Sequence, residues 1–203
     1  MAIRITTKQT DRVLFCGSKW WGDPDMPENM EYPMVEDYPL TFVCQINCED
    51  IAAYDPEGKL PHEGMLYFFA ALDGWLGYES PVENGMGEWP KGHFVVKYAK
   101  EINFETFRSC IMVDEDDQPV TEPEREIEFS LCEDNDDGIK LLGVPYYEEV
   151  RENYPELMNL LQLDEDDELS MRFYDCGMVN LMMKEADLKF MNWKRTKAYL
   201  HSL

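Results

Sequence analysis

Residues 38–47 read YPLTFVCQIN, and residues 154–164 read YPELMNLLQLD. Each stretch runs from Tyr-Pro through an apolar run to a glutamine, an aliphatic residue and then an amide or an acid. A short apolar run that is bounded by proline and polar residues is typical of a buried β-strand. Because the pattern occurs twice, the chain is a candidate for an internal duplication with one such strand in each half.

Two further elements recur around these stretches in the same order. Gly-x-Pro precedes each of them, at 22–24 and 143–145, and Gly-Met-aliphatic follows, at 64–66 and 177–179. The ordered set predicts repeats over about residues 12–72 and 140–190. A second register, which aligns INCEDI with MMKEADL, stays open because each is a strand end that leads into an acidic short helix.

The rest of the chain predicts many short strands and few helices. Apolar or alternating runs predict further strands at 12–17, 93–99, 126–132, 171–175, 178–183 and 198–202, and the stretch 64–72 has the strongest strand pattern. Short helices are expected at 48–55, 146–152 and 184–190. The sequence therefore predicts one α+β domain over 1–203, with mostly antiparallel sheets, a few short helices and two similar halves in one compact unit.

The charge of the chain limits its partners. It has 42 acidic and 18 basic residues, a formal net charge of −24. Such a field repels phosphate backbones and anionic membranes, so we expect neither nucleic acid nor a membrane as partner. Residues 114–137 are strongly acidic, whereas 189–197 are basic. Either these segments pair internally, or the acidic segment docks a basic protein, which is the function that we favour.

The expected location is the cytoplasm. The N-terminal residues contain no long apolar signal region, and no stretch approaches the roughly 20 apolar residues of a membrane span. The six cysteines lie mostly among apolar neighbours, which favours reduced, packed thiols over a disulfide framework.

The duplication suggests a place for a small polar ligand. Gln45 and Gln162 occupy equivalent positions, and each interrupts an apolar strand, so each must find hydrogen-bond partners. Either each ties the backbone of a neighbouring loop, or both face a cleft between the repeats, together with Asp175. Asn47 is expected to cap a helix and is also a candidate ligand residue.

Four further positions are candidates for binding or catalysis. Lys19, Trp20 and Trp21 lie in a Pro-rich loop, where the aromatic pair can stack on a ligand or simply anchor the loop. Cys176 is a candidate nucleophile that would need a base, but none of the three histidines lies in a recognisable catalytic motif. No phosphate-binding, dinucleotide-binding, serine-hydrolase or zinc-protease motif occurs. We therefore assign no catalytic residue, expect no metal or cofactor, and leave open whether the protein is an enzyme.

Several segments together resemble a known family. They are SKWWGDPDMP (18–27), PLTFVCQIN (39–47), LPHEGMLYFFA (60–70), KLLGVPYY (140–147), LLQLD (160–164) and YDCGMVNLMMKEADL (174–188). In their order along the chain they resemble the YwqG-like bacterial proteins, a family of unknown function. The resemblance implies a compact, strand-rich domain of mixed structure in a bacterial cytoplasm, and it implies no reaction.

Overall fold

The structure is a computed structural model, and it describes residues 1–113 and 116–203. Three short α-helices occur in this part of the chain: α1 (Cys48–Ile51), α2 (Glu148–Asn153) and α3 (Glu185–Lys189). The strands are β1 (Ala2–Gln9), β2 (Lys19–Trp20), β3 (Asp25–Pro27), β4 (Met34–Val35), β5 (Tyr38–Pro39), β6 (Thr41–Asn47), β7 (Met65–Ala70), β8 (Gly87–Glu88), β9 (Phe94–Ala99), β10 (Phe107–Ser109), β11 (Arg125–Cys132), β12 (Lys140–Leu141), β13 (Met158–Leu163), β14 (Met178–Met183) and β15 (Lys197–His201). Short 3₁₀ helices cover Asp73–Leu76, Asp167–Leu169 and Trp193–Arg195.

One large curled sheet dominates the molecule. Among the described residues it has 11 strands in the order β8-β15-β14-β13-β12-β1-β11-β2-β6-β7-β9, and every neighbouring pair is antiparallel. The pairs β3–β10 and β4–β5 form two small additional sheets.

The predicted α+β class is wrong, because the fold is dominated by the sheet. The predicted helices do form, but they contain only 4, 6 and 5 residues, too short to build a helical layer. The strands predicted at 12–17 and 171–175 are absent. Cys16 and Tyr174 have φ angles of 57° and 61°, which end any extended run at those positions.

Strand β7 separates two apolar layers. Its side chains alternate: Leu66, Phe68 and Ala70 belong to the main core, whereas Met65, Tyr67 and Phe69 belong to a second core. All of them are buried, because both faces of this strand are covered. The Pro-rich segment that contains β3, β4 and β5 covers the second face and, as described below, forms one wall of a pocket.

The strand order is nearly symmetric about the central pair, β1 and β11. Outward from that pair run β2, β6, β7 and β9 on one side and β12, β13, β14 and β15 on the other, where the short strand β8 adds a further edge. The registers match as well, since Lys19 lies opposite Gln45 and Lys140 lies opposite Gln162. This order corresponds to the register that pairs the two glutamines. The internal duplication itself stays a prediction.

Candidate functional site

A tight turn follows β2 and brings Trp21 to the wall of a cavity. Trp21 and Gly22 both have left-handed backbones, with φ of 57° and 74°. The Trp21 N–H donates to the carbonyl of Val43 at 3.0 Å, and the Gly22 N–H donates to that of Glu122 at 2.9 Å. A Cβ at Gly22 would lie 2.7 Å from the Cβ of Glu124, so only glycine fits.

The cavity beside this turn has a volume of about 510 Å³, within the range of small-ligand pockets. We call it the aromatic pocket. Its walls come from the Pro-rich segment, the start of β6, the 3₁₀ helix Asp73–Leu76 and residues 119–122. Five aromatic side chains line it: Trp21, Tyr32, Tyr38, Phe42 and Tyr78.

Two carboxylates belong to the same wall. Asp73 accepts hydrogen bonds from the Tyr38 hydroxyl at 2.6 Å and from the Thr41 hydroxyl, and Glu122 accepts one from the Tyr78 hydroxyl. The hydrogen bond to Asp73 raises the pKa of Tyr38 to about 12, and the bond to Glu122 raises the pKa of Tyr78. Both phenols therefore keep their protons and act as donors to the carboxylates.

The aromatic pocket combines aromatic faces with negative charge. All of its lining residues lie in the described part of the chain, and none of them is basic. The negative faces of aromatic rings attract cations. A carboxylate has about four sites that accept hydrogen bonds, so Asp73 and Glu122 can each accept further hydrogen bonds from a ligand. This arrangement can hold a cationic group and is unfavourable for an anion.

The residues on either side of the lining residue Met112 expose apolar side chains, and together with Val120 we call them the rim of the aromatic pocket. Ile111, Val113 and Val120 are 70%, 47% and 49% exposed, and Val120 also lines the cavity. The rim is continuous with the acidic segment 114–137, of which residues 114 and 115 lie outside the described residues. Residues 119–122 of the docking segment predicted from the sequence line the aromatic pocket.

Four of the predicted ligand residues have internal partners or no exposed surface. Lys19 pairs with Asp25 at 3.0 Å and with Glu124 at 3.1 Å. Gln45 accepts from the Asp25 N–H at 2.8 Å and donates to the Asp25 carboxylate at 2.9 Å. Trp20 is fully buried in the main core, and Asn47 caps α1 by accepting from the Glu49 N–H at 3.1 Å.

Gln162 holds a loop in the same way as Gln45. Its side-chain oxygen accepts from the Tyr146 N–H at 3.1 Å, and its amide donates to the carbonyl of Gly138 at 2.8 Å. Both glutamines are 0% exposed, and four strands of the sheet separate β6 from β13. They therefore tie loop backbones, and they do not face a common cleft that is open to solvent.

Asp175 and Cys176 lie on an exposed turn, and the carbonyl of Cys176 accepts a hydrogen bond from the Tyr147 hydroxyl, in the loop that Gln162 holds. Cys176 has a φ of 55°, and the neighbouring Asp175 carboxylate raises the pKa of its thiol. A raised pKa lowers the fraction of thiolate, which is the form that acts as a nucleophile. Of the eight predicted ligand residues, only Trp21 lines the aromatic pocket.

Sequence reasoning missed the residues that complete this pocket, namely Tyr38, Asp73, Tyr78 and Glu122. Tyr38 belongs to the repeated Tyr-Pro and carried a visible signal. No sequence pattern marked the segments 73–78 and 119–122 as part of a site. These two segments come together only because two loops fold over β6 and β7.

The fold and the site together define a sheet-dominated domain with a cation-compatible aromatic pocket. A family model described as a domain of unknown function (DUF1963) matches residues 18–201, and the chain belongs to that family. A comparison with curated proteins gave no match. Within the described residues, no helix has the length and apolar character needed to cross a membrane.

Proposed function

We propose that this protein is an interaction module that binds a basic protein and takes one cationic side chain of that partner into the aromatic pocket. The observation that carries the proposal is the pocket wall, where five aromatic side chains line the same cavity as the carboxylates of Asp73 and Glu122, with no basic lining residue among those described.

The net charge supports the same class of partner. A chain with a net charge of −24 attracts cationic surfaces from a distance and increases the rate of encounter with them. The pocket then supplies short-range recognition, since a cation against aromatic faces gains about 0.5–2 kcal/mol, depending on how far it is desolvated.

The rim favours a protein partner over a free small cation. Exposed Ile111, Val113 and Val120 offer apolar contact outside the pocket, and the acidic segment 114–137 continues from it. A small ammonium ion would fill the pocket but leave this rim unused. The resemblance to the YwqG-like bacterial proteins and the expected cytoplasmic location are compatible with this proposal, and both remain predictions.

The proposal is tested by calorimetric titration with a synthetic peptide of alternating lysine and glycine, and with its fully acetylated form. We expect binding of the first only, and affinity that falls as salt is raised. Asp73→Asn and Glu122→Gln should each weaken binding about 5- to 100-fold, since each removes a charged acceptor beside the cation.

The matched control is Glu152→Gln on α2, which removes the same charge from an exposed position that does not line the pocket. It should leave the affinity almost unchanged. Equal weakening by all three variants would show that only the net charge attracts the peptide, and would contradict a role for the pocket.

The alternative function is a small-molecule binder or enzyme that uses a cleft between the two halves. One observation favours it: a groove of about 550 Å³ is lined by residues of both predicted repeats, Trp21 and Glu168, together with Arg125 and others. Arg125 pairs with Glu168 across it. This alternative predicts that a small polar ligand binds equally well to wild type and to Asp73→Asn.

A further inference from the structure

A second cavity lies where the two edges of the curled sheet approach each other. Its volume is about 350 Å³, and it is lined by residues of β8, β9, α3, the 3₁₀ helix Trp193–Arg195 and the start of β15. Strand β9 is held to this region by Tyr98, whose ring lies 6.1 Å from that of Trp193 between centroids. Trp89 follows β8, and its backbone N–H donates to the carbonyl of Ala198 at 2.9 Å. The cavity is thus built on ordered elements from both ends of the sheet.

The charge of this cavity is opposite to that of the whole chain. Five of the 18 basic residues of the protein line it, against two acidic residues, Glu88 and Asp187. The five are Lys91, Lys184, Lys194, Arg195 and Lys197. We call it the basic groove. It includes part of the basic stretch 189–197 that is prominent in the sequence.

Much of this positive charge is not neutralised within the molecule. Lys197 pairs with Glu88 at 2.7 Å, and Lys184 pairs with Glu156. Lys91, Lys194 and Arg195, by contrast, make no ion pair with any residue that the structure describes. Residues 116–137, the described part of the acidic segment, do not line the groove.

The other walls of the basic groove are apolar. Trp89 and Phe94 are 3% and 8% exposed and form a packed floor, and Leu157 contributes a further apolar side chain. The indole N–H of Trp89 already donates to the carbonyl of Gly85 at 3.0 Å, which fixes the ring. A ligand here meets cationic side chains and the small exposed part of an apolar floor.

We infer that the basic groove is a binding site for a compact organic phosphate, with its anionic group between Arg195 and Lys194 and its organic part against Trp89 and Phe94. Arginine offers a planar fork of donors that matches phosphate oxygens, and lysine adds a point charge. A compact anion fits within the groove, whereas a long polyanion would extend onto the acidic surface and be repelled.

The site is tested by equilibrium titration of the full chain with inorganic pyrophosphate and with adenosine triphosphate. We expect both to bind, and the triphosphate to bind more tightly because it also contacts the apolar wall. Lys194→Gln and Arg195→Gln should each weaken binding about tenfold or more. Both side chains are exposed, so these variants should fold normally, which thermal unfolding will check.

The control is Lys59→Gln, which removes a lysine that pairs with Glu57 outside the groove. It should bind pyrophosphate as the wild type does. Equal weakening by Lys59→Gln, or no binding of either anion at millimolar concentration, would overturn the inference. A salt-sensitive self-association that Arg195→Gln abolishes, without anion binding, would also overturn it and would assign the groove to the acidic face of a second copy.

Discussion

The turn at residues 19–22 and the turn at residues 140–143 share one backbone but differ in their side chains. Trp21 and Gly22 have φ of 57° and 74°, and Leu142 and Gly143 have φ of 62° and 73°. Each turn follows a short strand whose lysine lies opposite a buried glutamine. The matching geometry shows that one structural solution is used on both sides of the sheet.

The lysines of the two turns are stabilised differently. Lys19 pairs with the carboxylates of Asp25 and Glu124, whereas the Lys140 ammonium donates to the carbonyls of Asp134, at 2.9 Å, and Asp136. Burial lowers the pKa of Lys140 to about 8. The same backbone thus holds an ion pair in one half and a cation with mainly carbonyl acceptors in the other.

The residues two positions after the lysines, Trp21 and Leu142, differ in whether they can contact a ligand. Trp21 lines the aromatic pocket, whereas Leu142, which is 2% exposed, packs into the main core. The comparison teaches that the backbone of the turn provides a scaffold and that the side chain at its first left-handed position determines whether a pocket forms beside it. Binding of a cation is therefore expected at the first turn only.

The largest expected effect comes from removing the Lys19 cation. Lys19→Met should lower the free energy of unfolding by about 3–5 kcal/mol, because it leaves the fully buried Asp25 without its ionic partner. Urea unfolding measures this change. The double variant Lys19→Met/Asp25→Asn should recover part of the loss, and a single variant as stable as wild type would show that the ion pair is unimportant.

The second prediction concerns pH and Lys140. Its pKa is about 8 in the folded state and near 10.5 when unfolded, so the unfolded chain binds more protons between these values. The contribution of Lys140 to stability should therefore rise with pH across that window, by up to about 3 kcal/mol.

The measurement is the difference in unfolding free energy between wild type and Lys140→Met, followed from pH 7 to 10.5. Buried thiols and tyrosines with raised pKa values, such as Cys48 at about 12, lower stability as pH rises, but those that do not interact with Lys140 cancel in the difference. The Cys132 thiol does interact with Lys140, so both proteins should carry Cys132→Ser. A difference that is independent of pH would contradict the assigned burial of the Lys140 ammonium.

A smaller effect is expected from the two glutamines. Gln45→Ala and Gln162→Ala should each cost about 1–3 kcal/mol, because each leaves buried backbone groups without partners. Gln45→Ala should cost more, since Gln45 also donates to the Asp25 carboxylate. Chemical unfolding measures both. Neither variant should change the affinity for the basic peptide, and a loss of affinity without a loss of stability would restore a ligand role.

Local patterns predicted individual strands well. Strands β6, β7, β13 and β14 follow the apolar runs around Gln45, Phe68, Gln162 and Asn180 within one or two residues at each end. The predicted α+β fold class was wrong because the short helices only connect strands and do not pack together into a helical layer. The pairing of β1 with β11 joins residues more than 100 positions apart, and no local signal reveals such a contact.

The candidate site was predictable only in part. Trp21 stood out because it lies beside a second tryptophan in a Pro-rich segment, and it does line the pocket. Asp73 and Glu122 resembled ordinary surface acids. Their proximity depends on two loops that meet over β6, and such meetings are set by tertiary packing, which periodicity does not encode.

The most direct test of the account converts the first turn into the second with Trp21→Leu and measures its affinity for the lysine–glycine peptide by calorimetry. Thermal unfolding will confirm that the variant is folded at the temperature of the titration. The account predicts that the variant loses most of the affinity, whereas the matched change Leu142→Met in the second turn leaves it intact. An unchanged affinity in folded Trp21→Leu would contradict the claim that the first turn builds the recognition site.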